Sequence, residues 1–118
     1  MSTVLVVDDE RHVRMLYEQE LAAEGYTVVC SDGQEPIIDL VERVKPDVVI
    51  LDIKLGPNLS GLDLLQKICT AQPGLPVILS TAYSSFKTDF KAVVADHYVV
   101  KSVDLTELKA ALASVLKK

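Results

Sequence analysis

The chain has 118 residues, a formal net charge of -5 and 49% hydrophobic residues. That is one domain's worth of sequence with enough apolar content for a real core. The acidic balance and the scattered Lys and Arg exclude a polyanion-binding face, so direct contact with nucleic acid is not expected.

The first element is the strand TVLVV, running straight into the acids Asp8, Asp9 and Glu10. Strand ends favour a single short acceptor, whereas adjacent carboxylates repel. At about 4 Å and an effective dielectric of ~20, each like-charged pair costs on the order of 4 kcal/mol before water and salt reduce it. Such a cluster calls for a compensating function. The N-terminus lacks the basic start, long apolar stretch and cleavage site of a signal peptide, and no apolar run is long enough to cross a bilayer. A cytoplasmic protein without membrane insertion is expected.

Helix-period residues follow the first strand at Val13, Leu16, Tyr17 and Leu21, and the same alternation continues along the chain. The strand TVVC precedes a stripe of Ile37, Leu40, Val41 and Val44. DVVIL precedes Leu62, Leu65, Ile68 and Cys69, and PVILS precedes Phe86, Phe90, Val93 and Val94. HYVV precedes Leu105, Leu108, Leu112 and Val115. The strands are near-continuous apolar runs, as parallel strands covered on both faces require. Pro36 sits in a first helical turn, Pro46 and Pro76 introduce strands, and Ser60 with Asp63 and Asp104 with Glu107 have capping-box spacing. Cys30 and Cys69 have neither CxxC spacing nor a nearby His, which marks small core hydrophobes and not metal ligands. The pattern predicts an α/β domain, a (βα)5 doubly wound parallel five-stranded sheet of order 2-1-3-4-5.

Such sheets bind ligands beyond the carboxyl ends of their strands, where the winding reverses. Asp8 and Asp9 end the first strand, Asp52 ends the third in VVILDIK, Thr81 leaves the fourth in ILSTAY, and Lys101 leaves the fifth in YVVKS. Singly, each has an ordinary explanation. Asp9 could cap a helix, Thr81 could serve a turn and Lys101 could be a solvated lysine. Capping needs one acid, however, and three acids at one edge are stable only beside a lysine or a hard divalent cation. Few carboxylates, room for water and an open position for a phosphate oxygen suit Mg2+ best.

DD after the first strand, D after the third, T after the fourth and K after the fifth resemble the receiver domain of two-component response regulators, on a flavodoxin-like fold. The resemblance extends over essentially the whole chain. It implies that Asp52 accepts a phosphoryl group from a sensor histidine kinase or a histidine phosphotransfer protein. It further implies that Asp9, Asp52 and the backbone carbonyl of Lys54 ligate Mg2+, with Asp8 acting mainly through water. Thr81 and Lys101 would bind the phosphoryl oxygens. Thr81 and Tyr98 would act as the switch that alters the surface of the fourth helix, fifth strand and fifth helix for a downstream protein target. The chain would then catalyse its own phosphorylation and dephosphorylation without being a conventional turnover enzyme.

Some features depart from the family pattern. Ser102 follows Lys101 where proline is common, and a cis bond to a non-proline costs about 2.5 to 4 kcal/mol, so a trans or looser path is expected there. IKLGPNLSG is about one residue longer than the common pattern and reads Gly-Pro where Pro-Gly is usual, and KAVVADHY lacks the usual glycine. None of these removes a phosphoryl-binding residue. Residues 1–118 read as a single receiver domain with no effector domain, either a stand-alone receiver of the chemotaxis or sporulation-relay kind or a piece of a larger regulator. Flavin binding on the same fold would need a Ser/Thr/Gly-rich loop where this chain has DDERH, and an aspartate-nucleophile phosphatase would need a DxD loop and a cap region. A pseudo-receiver that only binds a partner would not need an intact quintet.

Lys54 and Tyr83 lie two residues beyond the acceptor and the switch hydroxyl. Neither side chain resembles the Asn and Glu or Gln types that orient a hydrolytic water, and Tyr83 is bulky enough to shield a phosphoryl group. The aspartyl phosphate is therefore expected to decay slowly for a receiver, as a relay intermediate requires. Decay after donor removal, compared between wild type and Lys54→Asn/Tyr83→Glu, checks this. The double substitution should accelerate loss, and rapid wild-type decay unchanged by it would discount both positions.

Overall fold

The computed structural model describes residues 2–53, 60–81, 97–100 and 104–116, with Thr81, His97, Tyr98 and Val100 described through their backbone. Five strands are formed: β1 (Thr3–Val7), β2 (Thr27–Ser31), β3 (Val48–Leu51), β4 (Val77–Thr81) and β5 (His97–Val100). The described helices are α1 (Arg11–Ala23), α2 (Ile37–Val44), α3 (Gly61–Ala71) and α4 (Thr106–Val115). The expected helix bearing Phe86, Phe90, Val93 and Val94 lies outside the described residues, as does the bond before Ser102. The last helix is therefore α4 in chain order.

All strand pairs are parallel and the sheet order is β2-β1-β3-β4-β5, as the alternation of apolar runs predicts. Chain direction then forces a crossover between β2 and β3 past β1, so the winding reverses between β1 and β3.

Period-two alternation divides the central strands between two cores. On one face Leu5, Val7, Val49, Leu51, Val77 and Leu79 meet the α2 and α3 stripes through residues such as Leu40, Val41, Leu65 and Ile68. On the other, Val4, Val6, Val48, Ile50, Ile78 and Val99 meet Tyr17 and Leu21 of α1 and Leu108 and Leu112 of α4. β1 and β3 are buried over almost their whole length, whereas the edge strand β2 is only partly covered. Val13, Leu16, Val44 and Val115 complete their stripes from partly buried positions.

The expected capping holds for α3 and not for the other helices: Glu10, Pro36 and Leu105 take the N-cap positions of α1, α2 and α4 without a side-chain capping bond, so Pro36 precedes the first turn and Asp104 stands one residue ahead of the N-cap. Ser60 Oγ accepts from Leu62 N at 3.2 Å at the N-cap of α3. Asp104 Oδ1 accepts from Thr106 N at 2.9 Å and from Thr106 Oγ1 at 2.5 Å ahead of α4, which holds this carboxyl below its ordinary pKa. Cys30 and Cys69 are thiols outside any disulfide and only partly buried, less enclosed than their apolar surroundings in sequence suggest. Burial, with a smaller contribution from Glu18, pushes the Cys30 thiol up to about 11, and its Sγ donates to the Arg14 carbonyl at 3.7 Å. An uncharged, weakly reactive thiol is the result.

Leu65 is fully buried at the centre of the α3 packing, whereas Met15 is 57% exposed. Leu65→Ala should lower unfolding free energy by about 2–5 kcal/mol, and Met15→Ala should stay within about 0.5 kcal/mol of wild type, both read from urea unfolding.

Candidate functional site

Parallel pairing brings the carboxyl ends of the strands to one edge, and the register sets which side chains meet there. Val7 pairs with Leu51, so Asp8 and Asp52 are the next residues out on neighbouring strands. The backbone amide of Asp52 donates to the Val7 carbonyl at 2.9 Å, and that of Asp8 donates to the Ser31 carbonyl at 3.0 Å. Sheet hydrogen bonding therefore continues one residue past both strands and holds the two acids in place. Asp8 is 2% and Asp52 5% exposed, among the few buried polar residues described. Burying carboxylates this deeply is costly unless hydrogen bonds or a counter-charge compensate.

The turn after β1 is organised around Asp8. One carboxylate oxygen accepts from the backbone amide of Glu10 at 2.9 Å, and its carbonyl accepts from Arg14 Nη1 at 2.7 Å. Asp9 is exposed, and Glu10 occupies the N-cap position of α1 without a side-chain capping bond. The capping role weighed for Asp9 therefore falls away. The carboxylates of Asp8, Asp9 and Glu10 gather with ligand oxygens all within 4.8 Å of one another. Asp8 and Asp9 were singled out in sequence; Glu10 was read only as part of the acidic run. Its carboxylate also lies 3.5 Å from His12 Nε2, and both side chains are largely exposed.

Oxygen donors, close spacing and a mostly buried second acid on the next strand fit a small hard divalent cation. A soft metal is disfavoured, because the cluster offers carboxylates and no thiolate.

Gly61, the first residue of α3, carries a constraint that sequence spacing does not reveal. Its amide donates to the Ile53 carbonyl at 2.5 Å. A Cβ at this position would stand 1.7 Å from the Asp52 carbonyl oxygen and 2.8 Å from Ile53 Cα. Only glycine allows α3 to start this close to the backbone of Asp52.

The remaining predicted residues are reached in part. Thr81 ends β4 with its backbone opposite Val100, and Tyr98 lies in β5 opposite Leu79. Lys101 follows the last residue of β5 in sequence but lies outside the described residues, as do Lys54 and Tyr83.

With this arrangement in hand, similarity to known proteins is informative. The family model of the response regulator receiver domain matches residues 4–113. Among curated relatives, the probable transcriptional regulatory protein TcrX of Mycobacterium tuberculosis is 36% identical over 118 residues, covering 98% of this chain and 50% of that protein. The regulatory protein AtoC of Escherichia coli is 32% identical over 119 residues, covering 99% of this chain and 26% of that protein. The chain thus spans about half or less of these relatives' length.

Among solved structures, the response regulator TrrA of Thermotoga maritima in complex with Mg2+-BeF superposes with a TM-score of 0.86 at 37% identity, covering 98% of this chain and all of that one. TrrA in complex with the histidine kinase ThkA gives a TM-score of 0.85 at 37% identity, covering 99% of this chain and 100% of that one. The sheet order, the acids at its switch point and these matches define one class of protein. This chain belongs to the response regulator receiver family.

The Gly61 contact leads to a direct test. Gly61→Ala should destabilise the protein by roughly 2 kcal/mol or more, since backbone and not a flexible side chain must yield, as measured by urea unfolding. Gly74→Ala, where an added Cβ meets nothing within 4 Å, is the control and should leave stability near wild type.

Proposed function

We propose that the chain is a phosphoryl-accepting switch whose acceptor is Asp52. The observation that carries this reading is the pairing of two buried carboxylates, Asp8 and Asp52, one residue beyond the Val7–Leu51 pair at the reversal point of the sheet. An acid this enclosed is poorly hydrated, and at a strand end it can be met in line by an incoming phosphohistidine. The donors are a sensor histidine kinase or a histidine phosphotransfer protein, a reading supported by the similarity to TrrA, which is known in complex with a histidine kinase.

In the transfer, an Asp52 carboxylate oxygen forms the new bond to phosphorus as the bond from phosphorus to the donor imidazole nitrogen breaks. The catalytic work is positioning and charge neutralisation, not covalent chemistry by other side chains. Asp8, Asp9 and Asp52, with the Lys54 carbonyl, would hold Mg2+. When bound, the ion supplies positive charge to phosphoryl oxygens that the acids would otherwise repel. The similarity to a receiver crystallised with Mg2+-BeF supports a Mg2+ site in this chain. Arg14 keeps the Asp8 turn in shape through its carbonyl, and buried Asp52 is held by the Val7 carbonyl.

Thr81 and Lys101 are assigned to the phosphoryl oxygens. Contacts available only in the phosphorylated state then shift a two-state equilibrium. Through Thr81 and Tyr98 the shift reaches the surface formed by the segment after β4, β5 and α4, where a downstream protein or a second histidine would read it. Residues 1–118 act as one receiver domain in the cytoplasm; among the described residues no helix is long and apolar enough to cross a membrane.

Incubation with a small phosphodonor should add one phosphoryl group, on Asp52, only with Mg2+ present, as read by intact mass and peptide mapping. Asp52→Asn should abolish the modification. In metal-free buffer the same substitution should raise the melting temperature, because it removes one of the neighbouring buried charges. Wild type left unmodified under donor excess would mean a partner-binding pseudo-receiver.

A further inference from the structure

Beyond the acids, the described interior contains a buried hydrogen bond between two side-chain hydroxyls that the phosphoryl chemistry does not use. The hydroxyls of Tyr17 in α1 and Ser80 in β4 lie 2.7 Å apart, with the residues only 2% and 1% exposed. Their neighbours on that face of the sheet, Val4, Val6, Val48, Ile50, Ile78 and Val99, are all aliphatic. Phe and Ala would fill the same space without burying two hydroxyls. A buried hydrogen bond adds little net stability over such a replacement, but its directionality favours one relative geometry of the two elements it joins.

Two contacts made by the same helix show what that geometry connects. Arg14 and Tyr17 are three residues apart on α1 and so lie on one side of it. Arg14 Nη1 donates to the Asp8 carbonyl at 2.7 Å, gripping the acid turn. One turn further on, Tyr17 grips Ser80, the residue bonded directly to Thr81 at the carboxyl end of β4. β3 alone lies between these points in the sheet. α1 therefore spans from the turn that carries the acids to the strand end that carries the hydroxyl.

We infer that Tyr17 is a positioning residue for the phosphoryl site: through Ser80 it sets the end of β4 relative to the acid turn that Arg14 holds. This rests on the reading of Thr81 as a phosphoryl-binding hydroxyl. The brace keeps Thr81 at a defined separation from Asp8 and Asp9 before any phosphoryl group arrives, and less ordering is left to be done on binding. The contact through which Tyr17 acts is with Ser80, on the β4 side of the site and not on the side of the acids. Its effect should appear in affinity for the phosphoryl-like ligand and not in affinity for the metal.

The test is a double-mutant cycle on the full chain with Tyr17→Phe, Ser80→Ala and the double variant. Binding of Mg2+ alone and of beryllofluoride in saturating Mg2+ is measured by calorimetry, and stability by urea unfolding. Each single substitution should weaken beryllofluoride binding about three- to tenfold, the range of one buried hydrogen bond. Mg2+ affinity should stay within about twofold, and the double variant should be no weaker than the worse single, as expected for two halves of one interaction. Ser80→Ala breaks the pair from the strand side, so the cycle does not depend on how well Phe is accommodated at position 17. Wild-type binding with unchanged affinity in the folded variants, whatever their stability, would overturn the positioning role, as would fully multiplicative losses. Wild type that binds Mg2+ but no beryllofluoride would instead overturn the phosphoryl-acceptor reading, and the brace with it.

Discussion

The hydrogen bond from the Asp52 amide to the Val7 carbonyl is the contact on which the site depends. It extends β1–β3 pairing one residue beyond the regular strands and commits two acids to adjacent positions at a buried edge. A slip of one residue would turn every aliphatic side chain of β3 to the wrong face. The two cores thus enforce the register, and the register enforces the acid pair. The side chains that stabilise the sheet are thus those that bring the two carboxylates together.

The strain of that arrangement is shared locally. Asp8 satisfies the amide of Glu10 and receives the Arg14 guanidinium on its carbonyl, so the turn after β1 is held from both sides. Gly61 admits the start of α3 against the Asp52 backbone, where any side chain would collide. Backbone fit and hydrogen bonding therefore fix the backbone around Asp8 and Asp52 at this edge of the sheet.

How much of this was legible in sequence follows from the range over which each signal acts. Strand and helix periodicities are local, and the buried runs VLVV and VVIL led directly to β1, β3 and the parallel order. Asp8, Asp9 and Asp52 were legible because position in a doubly wound sheet is itself functional information. Tyr17 was legible only as one more apolar residue in a helical stripe. Its hydroxyl partner lies 63 residues away, and no local pattern reports a contact of that kind. Gly61 has the same character: the turn-like GPNLSG suggests backbone freedom, whereas the reason for glycine is a close approach from a different strand. Glu10 joined the acid cluster through the path of the turn, which composition does not describe.

The division of the interior by the sheet has a further consequence. Among the described residues, side chains on the α2–α3 side and on the α1–α4 side fall into two separate clusters, two jigsaws pinned to one backbone plane. Substitutions can accumulate in either half with compensation sought only within that half, which makes the search for workable sequences far smaller than for a single undivided core. The sheet backbone is common to both described clusters, so displacing a strand from one side also moves its end, where the acids stand.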